Sequence, residues 1–386
     1  MSKLKIGHVI TGLQVGGAEI MMYLLLANTD REQFEPFVLS LTPGGALVSQ
    51  IEALGIPVFT LDLRSGAQLP AVILAAARLL RREKPSVLQT WMVHADFVGS
   101  FAAQVSGRIP VAWGVHYSTF DQASSRTMTR WLTKLLALAS YAVPSKIICC
   151  SQCSQRMRIA EGYDPSKTLF IPNGFDLETF APSEDARSQV RHQLGLDPET
   201  PLILHAANDT PSKDHRNLFR AARHLKEKIP DARVLACGDG ITGDNAKLCG
   251  WIEEECVGDV VMLLGRRNDM PTLMAAADVY TSSSYNEAFP MVIGEAMACG
   301  VPCVVTDVGD SAYIVGDTGR IAPARIAKGL AQGWIELLRM ERKQRRELGC
   351  RARKRIEENF DIKAIATRYA DIHRSIARGS RQAYLR

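Results

Sequence analysis

The chain has 386 residues, a length that suggests two domains more readily than one. Hydrophobic residues make up 46% and charged residues 23%, ordinary for large cores, and no run of about eighteen apolar residues marks a membrane span. The net charge of +5 lies entirely in residues 1–175, with 16 Lys/Arg against 11 Asp/Glu; this is too weak to argue for nucleic acid but fits an anionic membrane surface or acceptor.

The opening MSKLKIGHVITG is a lysine-flanked strand without the apolar segment and cleavage site of a signal peptide, so a cytoplasmic location is expected. A glycine turn containing Gly16 and Gly17 follows, then a helix with Met and Leu at helical spacing. Strand, glycine turn and helix open a doubly wound domain. The glycines lack the G-x-G-x-x-G spacing. A glycine pair before a helix lets backbone approach a phosphate closely, and it reads equally as a plain tight turn.

Further β-rich runs start near Phe37, Ile56 and Val87, and a fifth ends at Val115, with helical stretches between them. His116 follows the fifth run, at the carboxyl end of a strand, where open α/β sheets bind ligands. A lone histidine is more often structural. Residues 122–143 predict an amphipathic helix. Arg126, Arg130 and Lys134 form a basic stripe, with Trp131, Leu132, Leu135, Leu136 and Leu138 as one apolar face. Such a helix lies on a membrane or packs on a core with its basic face solvated.

Cys150 and Cys153 form a C-x-x-C, but no second pair supports a zinc site. Cys149 and Cys150 continue an apolar strand as small buried residues, and reduced thiols are expected. Asn173-Gly174 marks a turn, and residues 177–199 read as a linker. A second βα series begins near Leu202. Its loops carry Asn208, Lys213, Arg266 and Arg267.

The stretch Ser282 to Val305, SSSYNEAFPMVIGEAMACGVPCVV, reads as strand, loop, helix, turn and strand. Pro290 suits the first turn of the helix, and Gly300 with Pro302 ends it. Glu287 falls beside the helix mouth and Glu295 about a turn further in. The N–H groups of Met291 and Val292 point out of that mouth, where an anion is favoured. Carboxylates accept hydrogen bonds from hydroxyls, so the combination suits a sugar nucleotide. A surface loop with solvated acids is the plainer reading. Residues 325–358 are helical and rich in both charges, which suits a solvated face.

Acid, small residue, Phe, Pro, four residues, then Glu-Ala-Met-Ala-x-Gly-x-Pro resembles the donor-site signature of retaining GT-B glycosyltransferases of family four, the group 1 glycosyltransferases. Gly16-Gly17-Ala18-Glu19, His116 and Ile171-Pro172-Asn173-Gly174-Phe175-Asp176 also resemble family segments, and the likeness covers nearly the whole chain. It implies an α/β GT-B fold: two doubly wound Rossmann-like domains facing across a cleft. Residues 1–180 would form the acceptor side, 181–360 the donor side, and 361–386 a helix packing back on the first domain.

The resemblance further implies retaining sugar transfer from a UDP- or GDP-sugar co-substrate, with no metal or other cofactor and no enzyme nucleophile. The acceptor would be a hydroxyl of a carbohydrate or lipid-linked molecule in cell-surface polysaccharide synthesis, with peripheral membrane contact through the N-domain. His116, Lys213 and Glu287 would be catalytic. Gly16, Gly17, Asn208, Lys213, Arg266, Arg267, Phe289, Pro290, Met291, Val292 and Glu295 would bind the donor. Two departures stand out. Asn208 replaces a family arginine, for which Arg216 or an N-domain residue would compensate. Tyr313 replaces the acid of a G-G-x-x-E segment. They favour an alternative, a catalytically weak nucleotide-binding or scaffold subunit. An epimerase or phosphorylase on a similar scaffold is a third reading, without its own signature here.

Overall fold

The computed structural model describes residues 3–117 and 127–384. The chain divides into two compact units, Met1–Gly174 with Ile362–Arg386, and Phe175–Asp361.

Among the described residues the first unit has seven parallel strands: β1 (Leu4–Ile10), β2 (Phe34–Ser40), β3 (Val58–Thr60), β4 (Val87–Trp91), β5 (Val111–Val115), β6 (Pro144–Cys149) and β7 (Thr168–Phe170). Their order in the sheet is β3-β2-β1-β4-β5-β6-β7. Parallel neighbours require crossover helices, and helices on both faces bury both faces. Hence every residue of β4 and β5 is buried, with no polar alternation. On one face Met21, Met22, Leu25 and Leu26 share a core with Ile362, Ile365, Tyr369 and Ile376 of the helix Ile362–Tyr384. That helix therefore belongs to the first unit.

The helix after β5 spans Thr127–Ala139, and Arg126 lies outside the described residues. Its apolar residues do not form the single face expected. Leu132 and Leu136 are buried, whereas Trp131, Leu135 and Leu138 are 69%, 48% and 77% exposed. The two sets occupy neighbouring stripes one residue apart, and only one meets the core. Cys149 and Cys150 are buried, and desolvation pushes the Cys149 thiol up to about 12. Among the described residues no three His, Cys, Asp or Glu side chains gather as metal ligands. Nor is any helix among them long and apolar enough to cross a membrane.

Among the described residues the second unit has six parallel strands: β8 (Leu202–Ala206), β9 (Arg233–Cys237), β10 (Val261–Leu263), β11 (Val279–Ser282), β12 (Cys303–Thr306) and β13 (Arg320–Ala322). Their order is β10-β9-β8-β11-β12-β13. The stretch expected as a linker is not one throughout. It contains the helix Glu184–Gln193, whose Arg187 and Arg191 converge on the buried Asp278 carboxylate at 2.9 and 2.8 Å. Arg345 reaches the same carboxylate at 3.3 Å, and the Leu202 N–H donates to it at 2.9 Å. A buried charge of this kind stays folded only when paired and hydrogen-bonded, so the helix is held to the second unit.

Each sheet winds outward from a central strand and then jumps to its other side. This leaves a switch point between β1 and β4 in the first unit and between β8 and β11 in the second. Loops leaving the carboxyl ends of two such strands diverge and leave a crevice, where ligands bind in open α/β sheets.

Candidate functional site

Lys213 and Glu287 come from the two loops that diverge at the β8/β11 switch point. After β8 the chain makes a 3-10 turn, Pro211–Lys213. Asp214 then takes a left-handed backbone, φ 50°, and caps the helix His215–Lys226 by accepting the Asn217 N–H. The loop after β11 is stitched to this turn. Ser283 Oγ donates to the Lys213 carbonyl at 2.7 Å, and the Tyr285 N–H donates to the Ser212 carbonyl at 2.8 Å. Lys213 Nζ then meets Glu287 Oε1 at 2.5 Å, and Ser284 Oγ donates to the same oxygen at 2.7 Å. Both side chains are largely buried, at 26% and 13% exposure, so the pair is only weakly screened by water.

Behind Glu287 the turn Val308–Ser311 sets the loop height. Gly309 has φ 55°, and a Cβ there would lie 2.3 Å from the Glu287 carbonyl oxygen. The Asp310 N–H donates to the Ala288 carbonyl at 3.0 Å. Pro290 precedes the helix Met291–Ala298 as its N-cap, one position earlier than expected. Among the described residues the N–H groups of Met291 and Val292 have no backbone partner, as a first helical turn requires. Gly300, at φ 73°, ends the helix as its position in the sequence predicts.

The Phe289 side chain is buried against Phe175 and Phe360, with ring centroids 6.2 and 5.9 Å away. Its ring anchors the loop, and only its backbone is left to meet a ligand. Tyr313, where the resemblance implies an acid, packs edge-on against Phe360 at 5.8 Å.

Glu295 lies one turn into the helix. It is half-buried, and its side chain has no hydrogen bond or ion pair among the described residues. Desolvation raises its carboxyl from the ordinary 4.5 to about 7. The free protein thus gains stability from this group at low pH and loses it as pH rises toward 7. A hydroxyl donates more strongly to the ionised carboxylate than to the neutral acid, so a ligand held at Glu295 through a hydroxyl should bind more tightly as pH rises toward 7. Calorimetry across this range would show that affinity rising toward pH 7 and levelling off above it. In Glu295→Gln that dependence should vanish; its persistence would remove Glu295 from the binding site.

The remaining donor-side candidates line the carboxyl ends of β8, β9 and β10. Asn208 Oδ1 accepts the Asp239 N–H at 3.0 Å and so holds the turn Gly238-Asp239-Gly240. Arg266 lies 3.7 Å from Asp239, and Arg267 pairs with Asp269 at 2.6 Å. Arg216 does not fill the place left by Asn208, because its guanidinium is committed to Glu254 at 2.8 and 3.0 Å. A residue that sequence reasoning missed stands beside the Lys213 turn instead. Arg325 leaves β13 in a left-handed backbone, φ 64°, and lays its guanidinium 4.2 Å over the Tyr285 ring, beside the Lys213 turn. No motif marks it; only the strand order brings it there.

In the first unit Gly16 caps the helix Gly17–Ala27, and a Cβ there would meet Glu19 Oε2 at 2.5 Å. Burial raises the Glu19 carboxyl. His116 follows β5, its ring 4.8 Å from that of Trp91. Among the described residues both its nitrogens are buried without a partner, and desolvation lowers the imidazole to about 3, so it is neutral. Gly16, Gly17 and His116 thus share the carboxyl edge of one sheet, and the other candidates belong to the second unit.

Two Rossmann-like domains of this build are the architecture of GT-B glycosyltransferases. Anabaena Alr3699/HepE, solved with UDP and glucose, matches with a TM-score of 0.84 at 25% identity, over 96% of this chain and 100% of that one. Sucrose-phosphate synthase of Thermosynechococcus elongatus shares the fold, with a TM-score of 0.80 at 20% identity over 97% and 99% of the chains. Residues 15–179 match the model for Glycosyltransferase Family 4, and residues 186–355 that for Glycosyl transferases group 1. The chain belongs to this family and is a glycosyltransferase. The UDP-Gal:alpha-D-GlcNAc-diphosphoundecaprenol alpha-1,3-galactosyltransferase of Escherichia coli is 27% identical over 81% of this chain and 82% of that protein.

Proposed function

We propose that the protein transfers a sugar, with retention at the anomeric carbon, from a UDP-sugar to a hydroxyl of a lipid-linked or polysaccharide acceptor. The observation that carries this is the half-buried Lys213–Glu287 pair beside an open helix mouth. An incoming diphosphate competes for the Lys213 ammonium and releases Glu287, whose carboxylate then accepts hydrogen bonds from the sugar hydroxyls. The N–H groups of Met291 and Val292 add dipoles where the leaving group gains charge. Glu295 takes the ribose hydroxyls, and Gly238 to Gly240 and Arg266–Arg267 frame the base. Arg325 supplies the cation that Asn208 lacks. Cations and dipoles then meet the diphosphate charge without a metal. Neutral His116 offers a nitrogen to a sugar or acceptor hydroxyl, and no side chain is assigned as a covalent nucleophile. The UDP-sugar and lipid-linked acceptor follow the E. coli relative, whose name specifies both.

Calorimetry with UDP, GDP and their sugars tests the reading. UDP should bind wild type and bind Glu295→Ala at least about tenfold more weakly. A folded protein that binds no nucleotide would overturn the enzyme reading in favour of the scaffold subunit that Asn208 favours.

The same reading places the protein at the cytoplasmic face of a membrane. Exposed Trp131, Leu135 and Leu138 lie beside Arg130 and Lys134, and Lys134 sits 5.9 Å from the Trp131 ring. This is the pattern of an interfacial helix. Sedimentation with vesicles containing anionic lipid should recover wild type. Trp131→Ser with Leu138→Ser should weaken binding by about tenfold or more, since each buried apolar side chain contributes about 1.5–3 kcal/mol. Equal recovery of both proteins would leave the helix with a solvated outer face and no lipid role.

A further inference from the structure

A cavity of about 270 Å³ lies in the first unit between the last helix, the first helix and the starts of β1 and β2. Ile6, Phe34 and Pro36 line it, so it opens near the amino ends of the strands. Gly16 and His116 leave from the carboxyl ends. Nothing in the transfer reaction uses this cavity.

Two buried imidazoles, His8 and His373, form part of its lining. Their tautomers follow from their partners. The Trp91 indole N–H can only donate, and it meets His8 Nδ1 at 3.2 Å. His8 therefore carries its proton on Nε2. Gln89 Nε2 donates to the Thr90 carbonyl at 3.0 Å, which leaves Gln89 Oε1 to accept. His373 Nε2 lies 3.3 Å from that oxygen and donates to it, so His373 Nδ1 is bare. Burial lowers His8 to about 3 and His373 to about 4, so both rings are neutral.

His8 Nε2–H and His373 Nδ1 are then a donor and an acceptor without protein partners among the described residues. Their rings stand 6.2 Å apart at 81°. One hydroxyl accepts from the first and donates to the second, a role that neither a carboxylate nor an ammonium can fill. The charges at the rim are already satisfied. Arg374 donates to Asp371 and to Gln33, each at 2.7 Å, and Gln33 donates to Asp30 at 2.5 Å. Leu25, Phe34, Tyr369 and Ala370 supply apolar wall. The volume is several times the roughly 30 Å³ that one water occupies, and water against apolar wall is easily displaced.

We propose that this cavity binds an uncharged, hydroxyl-bearing small molecule of about monosaccharide size, with one hydroxyl bridging His8 and His373. The test is NMR on the full-length, 15N-labelled protein saturated with UDP, titrated with D-glucose, D-galactose and glycerol up to about 100 mM. The Trp91 indole N–H reports directly, because its acceptor is His8. A saturable shift of that signal and of both imidazoles is expected with at least one probe. Ala370→Phe, which fills the cavity, should weaken it at least about tenfold. Thr367→Trp, a change at an exposed rim position, should do the same should the first variant fail to fold. No shift with any probe would show a cavity that holds water only. A shift unaltered in the folded variants would place the sugar elsewhere. Either result overturns the proposal.

Discussion

Lys213→Met is expected to lower kcat/KM by about 100- to 1,000-fold, the scale seen when one preorganised charge-stabilising group is lost from a reacting centre. The loss should be larger than removal of the cation alone. Without Lys213 the Glu287 carboxylate, to which Ser284 donates, faces an incoming diphosphate without its cation, and like charges in a partly buried setting repel strongly. Stability should fall by about 1–3 kcal/mol, because the largely buried Glu287 carboxylate loses its cationic partner. A double-mutant cycle separates two roles for the lysine. A lysine that only positions Glu287 costs nothing further once Glu287→Gln has been made. A lysine that holds phosphate keeps much of its cost in that background, in UDP affinity as well as in turnover. A null effect in the Glu287→Gln background would remove Lys213 from the phosphate site and leave it as the support for Glu287.

The loop and helix from Ser284 to Gly300 were legible because local chemistry writes them: Pro290 before a helix, Gly300 after it, and two acids at fixed offsets. The doubly wound alternation was legible for the same reason, since apolar runs and glycine turns recur on either side of residue 175. Partners set by topology were not. Arg325 reaches Tyr285 only because β13 lies at the end of the sheet beyond β12. Arg216 looked free to serve the donor, yet Glu254, from a different helix, takes its guanidinium. The linker reading missed the helix Glu184–Gln193, because the Asp278 that holds its Arg187 and Arg191 lies far along the chain and no local signal pairs them. Along the helix Thr127–Ala139, periodicity identifies an apolar side but not which of two adjacent stripes meets the core. His8 and His373 are nearly the full chain apart, and no spacing rule connects them.

Gly294→Ala is the change for which local and tertiary chemistry give opposite signs. Gly294 sits inside the helix Met291–Ala298, where alanine is ordinarily favoured by about 1 kcal/mol. Here a Cβ would lie 2.1 Å from the Phe175 ring at Cζ, with two further ring carbons at 2.4 and 2.5 Å. The ring has little room to retreat. Phe175 is 1% exposed, Phe289 and Phe360 both lie 6.2 Å away, and its own N–H is bonded to the Phe360 carbonyl at 2.8 Å. Overpacking of this kind costs about 1–3 kcal/mol and more when backbone must shift, so it outweighs the helix preference. The melting temperature of the second unit is expected to fall by about 2–4 °C for each kcal/mol of net loss. UDP affinity should fall with it, because the helix that moves carries Glu295 and the open N–H groups. Phe175→Leu alone should also destabilise, through lost packing, but adding it to Gly294→Ala should recover part of the loss, a non-additivity expected only of residues in contact. A variant that melts at or above wild type would mean that the aromatic cluster yields freely, and that glycine at 294 is not required by Phe175.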